Sequence, residues 1–88
     1  MHITIRQLQV FEAVARQLSY TRAAEELHLT QPAVSMQVKQ LENSVGLPLF
    51  EQIGKRVFMT QAGETMLRHA QTIMRHLVSA QEEMDELK

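Results

Sequence analysis

Residues 19–45 read SYTRAAEELHLTQPAVSMQVKQLENSV, and this stretch decides the fold. Ser19 stands as an N-cap, and Ala23, Ala24 and Leu27 recur behind it at helical spacing. His28-Leu29 then interrupts the pattern. Thr30 offers a second N-cap, and Gln31-Pro32 fills a first turn where a missing N–H costs nothing. Val34, Val38, Leu41 and Val45 form a new apolar stripe. A helix of about two turns, a short break and a longer helix make the helix-turn-helix pattern.

The face of the second helix turned away from its stripe carries Thr30, Gln31, Ala33, Ser35, Met36, Gln37 and Lys39. Hydroxyl, amide and small apolar groups are the types that read base edges and thymine methyls in a major groove. A helix that merely faces water carries more Glu and Lys, yet Lys39 is the only charge between Thr30 and Leu41. The competing account is a plain helical hairpin inside a bundle. Thr21 and Arg22, in the N-terminal turn of the first motif helix, are placed to hold phosphates; capping and simple exposure explain them as well. His28 stands where a helix more often ends in Gly or Asn, and reads as a turn residue.

Outward from this motif, Thr4 to Arg16 forms an earlier helix, with Thr4 as N-cap. Leu8, Phe11, Ala15 and Leu18 share one face, widened by Val10 and Val14, so this helix should pack behind the motif. Beyond Val45, Gly46 and Pro48 stop the second motif helix. LFEQIGKRVFM, residues 49–59, then changes character: strand formers flank Gly54-Lys55, which predicts a two-stranded hairpin. Such a wing presents Lys55 and Arg56 at its tip, to a minor groove or to phosphate. A solvated turn carrying Lys is the plainer alternative.

Thr60 caps a last helix that runs to Lys88 with no Pro or Gly after Gly63. Met66, Ala70, Ile73, Leu77, Ala80, Met84 and Leu87 are spaced 4-3-4-3-4-3, an unbroken heptad seam. A helix of about 28 residues extends about 42 Å, more than a small head can cover. The overhanging stripe therefore calls for a partner: a second copy, or a further part of the same polypeptide. A homodimer suits palindromic operators. His69 and His76 are seven residues apart, about 10 Å along the axis, too far to share one ion.

The net charge of −1 runs against the basic footprint of most DNA binders. Its distribution softens the objection. Residues 1–60 hold six Lys/Arg against five Asp/Glu, whereas residues 61–88 hold three against five. The acidic excess thus sits in the last helix, and helix N-termini can hold phosphates without side-chain charge. The chain's 88 residues suit one small domain, and a hydrophobic content of 44 % excludes a disordered one. No apolar run is long enough to span a membrane, and no signal peptide is apparent. The lack of cysteine excludes disulfides and thiolate metal sites, and fits a cytoplasmic location. With no Gly-rich phosphate loop and no clustered ligand histidines, an enzyme has little support.

RQLQVFEAVARQLSYTRAAEELHLTQPAVSMQVKQLENSVGLPLFEQ (residues 6–52), followed by the wing and Thr60-Gln61-Ala62-Gly63, resembles the LysR-type transcriptional regulators. The Ala23-Ala24 pair, Thr30 through Ser35, Leu41-Glu42, Gly46 and Leu49-Phe50 all fall in register. HLTQPAVSMQVKQLE with LPLFEQIGKR resembles the branch of that family, CbbR, that activates carbon-dioxide-fixation operons. The resemblance implies a mainly α chain: a winged helix-turn-helix head over residues 1–59 and a linker helix over 60–88, paired antiparallel in a homodimer. It also implies a larger C-terminal domain beyond this fragment, which senses a small-molecule effector and drives tetramer formation. RNA polymerase is a compatible partner, and no cofactor or metal is expected in the fragment itself. Carried over by residue, Gln31, Pro32, Ala33, Ser35, Met36 and Gln37 face the major groove. Arg22, Thr30 and Lys39 hold the backbone, and Lys55 and Arg56 serve the wing. Many relatives place Arg where Met36 stands, so base preference there should differ, toward a thymine methyl. A helical protein-interaction module tethered by the last helix is the other class of function these residues allow.

Overall fold

The computed structural model describes all 88 residues as four helices and one hairpin. These are α1 (Ile5–Gln17), α2 (Tyr20–Leu27), α3 (Gln31–Val45), β1 (Phe50–Ile53), β2 (Arg56–Met59) and α4 (Gln61–Glu86). Every helix begins on a hydroxyl. Thr4, Ser19, Thr30 and Thr60 each accept a backbone N–H of their helix's first turn, as the sequence predicts. At α1 the cap is reciprocal, because Gln7 accepts the Thr4 N–H at 3.1 Å while its own N–H donates to Thr4 Oγ1 at 3.0 Å.

The breaks between helices are left-handed. Leu18 (φ 48°) ends α1, His28 (φ 56°) ends α2 and Gly46 (φ 84°) ends α3. His28 is the turn residue expected of it, held by its N–H to the carbonyls of Ala24 and Glu25. Leu18 departs from expectation. Its backbone has left the helix, so its side chain misses the apolar face and stands 47 % exposed.

α1 forms the back of the head and packs against α2, α3 and α4. Phe11, Val10 and Val14 are fully buried, and Val34, Val38 and Leu41 meet them from α3. The rings of Phe11 and Phe50 lie 5.3 Å apart, which fastens the root of the hairpin to this core. The strands pair antiparallel from Phe50↔Met59 to Ile53↔Arg56, leaving Gly54-Lys55 as a two-residue turn with Gly54 at φ 63°.

α4 has two parts. Its beginning is part of the head: Thr60 donates its N–H to Leu49 O and its hydroxyl to Pro48 O. Gly63 lies so close to Leu49 that a Cβ there would overlap the Leu49 carbonyl oxygen. Ala70 is fully buried in the core and Met66 partly so, which corrects their placement on a free seam. Heptad spacing registers a face, and over its first turns that face belongs to α1 of the same chain. The exposed stripe starts at Ile73 and continues through Leu77, Ala80 and Met84. Leu87 lies past the end of α4, as its C-cap. α4 carries the molecule to a length of 50 Å, against 26 and 19 Å in the other directions.

Candidate nucleic-acid interface

α3 presents its residues in an arc around the core-facing stripe. Pro32, Met36 and Lys39, opposite Val34, Val38 and Leu41, are exposed, and Met36 reaches 53 %. Ala33, Ser35 and Gln37 lie on the flanks and are half-buried, less outward than expected. Gln31 is exposed and donates from Nε2 to Ser35 Oγ at 3.1 Å, one helical turn on. That bond orients an amide and a hydroxyl side by side.

On the Gln31–Ser35 flank, α3, the start of α2 and the wing enclose an open groove of roughly 700 Å³. Thr21 and Arg22 enter it from α2, Gln31, Ser35 and Lys39 from α3, and Gln52 and Lys55 from the wing. The structure thus gathers three separate stretches of sequence around one concave surface. Arg56 is the first residue of β2, exposed and outside the groove's lining. Pro32, Ala33, Met36 and Gln37 are outside its lining, on the remaining arc of α3.

Charge separates this surface from the rest of the molecule. Arg22, Lys39 and Lys55 line the groove against a single carboxylate, Glu42, although the chain as a whole is at −1. None of these three cations, nor Arg56, is in an ion pair. Arg16 provides the contrast. Its guanidinium is shared between Glu12 at 3.0 Å and Glu26 at 2.6 Å, and it ties α1 to α2 instead of facing a ligand. That pairing holds the Glu26 carboxyl down at about 2, with Gln17 adding a second donor. At the groove's edge, burial and then the nearby Glu42 charge push the Tyr20 hydroxyl up to about 12, so it is neutral at physiological pH. The start of α2 also lines the groove, its Arg22 N–H taken by the Ser19 hydroxyl and its first two amides without a partner within the helix.

Two residues escaped the sequence reading. Glu42 accepts the Leu49 N–H at 2.7 Å and the Phe50 N–H at 3.4 Å, joining α3 to the base of the wing. An acid near a helix C-terminus opposes the dipole, which is the signal that such a residue has other work. Gly63 is the second. A glycine in the first turns of a long helix forfeits about 1 kcal/mol of propensity, which signals a close approach.

A sequence model of the family described as "Bacterial regulatory helix-turn-helix protein, lysR family" matches residues 5–64. The chain belongs to the LysR family. Among curated relatives, this LysR-family chain is 57 % identical over its full 88 residues to the RuBisCO operon transcriptional regulator of Allochromatium vinosum. It is 55 % identical over 96 % of its length to the HTH-type transcriptional regulator CbbR of Rhodospirillum rubrum. It spans only 29 % and 28 % of those two proteins. Among solved structures it superposes on the CbnR_DBD–DNA complex with a TM-score of 0.90 at 29 % identity, covering 97 % of this chain and 98 % of that one. On the BenM_DBD/catB site 1 DNA complex the TM-score is 0.93 at 27 % identity, with 97 % and 96 % covered. The relatives are transcriptional regulators, not enzymes.

Proposed function

We propose that this chain is the DNA-reading part of a LysR-type transcriptional regulator, with α3 in a major groove and the wing on the neighbouring backbone or minor groove. The observation that carries the reading is the convergence of unpaired Arg22, Lys39 and Lys55 on the groove beside Gln31 and Ser35. Gln31, Pro32, Ala33, Ser35, Met36 and Gln37 serve the bases; Thr21, Arg22, Thr30 and Lys39 hold the backbone. Lys55 and Arg56 act from the wing. Two solved structures of matching fold, those of CbnR_DBD and BenM_DBD, are DNA complexes, which supports this assignment.

The reading extends to a homodimer through the exposed half of α4. Ile73, Leu77, Ala80 and Met84 form its apolar line. Arg68 and Arg75 lie toward its N-terminal end while Glu82, Glu83, Asp85 and Glu86 gather at its C-terminal end, so antiparallel pairing sets opposite charges against each other. Residues 1–59, with the packed beginning of α4, make the head, and the remainder of α4 is the linker. A C-terminal effector-sensing domain, tetramer formation, contact with RNA polymerase and a cytoplasmic location complete the picture of the whole regulator. The names of the relatives point to carbon-dioxide-fixation genes as targets.

Salt titration of duplex binding tests the reading. Neutralisation by Arg22, Lys39, Lys55 and Arg56 in both protomers gives a log–log slope of roughly −7 at most. A slope near zero removes the charge-driven contact. Alanine at Gln31, Ser35 and Gln37 should abolish sequence preference; a protein-interaction module would keep its activity.

A further inference from the structure

We propose that Glu42 is a positioning residue for DNA recognition: its carboxylate sets the wing against the reading helix and so brings Lys55 and Arg56 to the DNA backbone. The inference rests on the DNA-reading function proposed above. Glu42 stands on α3 three residues beyond Lys39, and its Oε2 accepts the backbone N–H groups of Leu49 and Phe50. These are the only side-chain hydrogen bonds between α3 and the chain that enters β1; the one backbone bond, Gly46 N–H to Glu42 O, is the C-cap of α3 itself. The connecting Gly46, Leu47 and Pro48 are exposed; beyond the Gly46 cap, their one hydrogen bond is from the Thr60 hydroxyl to Pro48 O, at the start of α4 and not to α3. A charged acceptor on backbone amides is about twice as strong as a neutral one.

The geometry makes that tie consequential. Leu49 and Phe50 are buried, but Glu51 through Arg56 are all exposed, so the wing is anchored at its root and free at its tip. The tip lies about 15 Å from the root at strand rise, and a swing of about 10° there moves Lys55 by about 2–3 Å. A phosphate contact does not survive such a displacement. An acid lining a groove built for phosphate would also repel its ligand; here its lone pairs are directed to amides of its own chain. The same joint reaches α4, because the Leu49 carbonyl accepts the Thr60 N–H at 3.1 Å.

The test compares Glu42→Ala, Glu42→Asp and Glu42→Gln with Lys55→Ala/Arg56→Ala. The probe is a labelled duplex selected from a random pool by the unmodified chain, titrated over a range of salt. Glu42→Ala should lower the magnitude of the salt slope by about 2 per protomer, the same loss as the wing double variant, since two phosphate contacts disappear. Combined with the wing substitutions it should add no further loss, and the preferred bases should stay unchanged. Glu42→Gln keeps an acceptor in reach of Leu49 and should restore the slope; Glu42→Asp, one methylene short, should not. This last pair decides the matter if Glu42→Ala fails to fold. An unchanged slope in Glu42→Ala and Glu42→Asp, or losses that multiply with those of the wing, would overturn the proposal while leaving DNA reading intact. Failure of the unmodified chain to retain any duplex, or an unchanged slope in the wing double variant, would instead overturn the underlying reading and the positioning role with it.

Discussion

Gly63 alone of the three glycines has no room for a Cβ, because it lets α4 meet the backbone of Leu49. Gly63→Ala should destabilise the head by about 3 kcal/mol, at the upper end of overpacking costs, since the opposing atoms are backbone and cannot swing aside. The urea midpoint measures it, and an unchanged midpoint would mean that the close approach is not maintained. On the proposed DNA-reading function, Met36 is the residue on which specificity turns. It is the most exposed apolar side chain of α3, and Met36→Arg should shift preference at its base pair from A·T toward G·C, read by selection on random duplexes. At this scale the caps were legible, because a hydroxyl before an apolar period acts on amides two or three residues away. The roles of Glu42 and Gly63 were not, since each depends on a partner brought near only by the finished fold.

The joint between α1 and α2 belongs to the scale of elements. Arg16 holds Glu26 across it, and the Glu26 carboxyl is lowered from 4.5 to about 2. A depressed acid contributes stability that is present above the unfolded value, near 4.5, and is lost as pH falls from there toward 2. Glu26→Gln should therefore remove part of the acid sensitivity of unfolding below pH 4.5; an identical pH profile in both forms would show that the pair adds nothing. All four helices and the wing followed from spacing, caps and the Gly46–Pro48 and Gly54–Lys55 turns, although α1 ends at Gln17 and not Arg16, and α4 ends at Glu86 and not Lys88. The division of α4 did not follow. A 4-3 repeat looks the same whether its partner is α1 or another molecule, so Ala70 was read outward although it is buried.

At the scale of the whole molecule, an overhanging α4 and a groove with unpaired cations ask for two partners of different chemistry. Leu77, 43 % exposed midway along the free stripe, is where the first can be interrupted. Leu77→Glu should leave the head folded but convert a dimer to a monomer in sedimentation, and weaken binding to paired half-sites while sparing single ones. Were the unmodified chain already monomeric, the stripe would need a partner elsewhere in a longer polypeptide. The groove was only half legible from sequence. The residues of α3 stood out by composition, but its meeting with α2 and the wing is a matter of tertiary arrangement. The most direct measurement is selection of this chain on a pool of random duplexes at moderate salt, followed by sequencing of the bound fraction. The account expects a two-fold-related motif whose half-sites lie a whole number of helical turns apart. No enrichment of any sequence would contradict it.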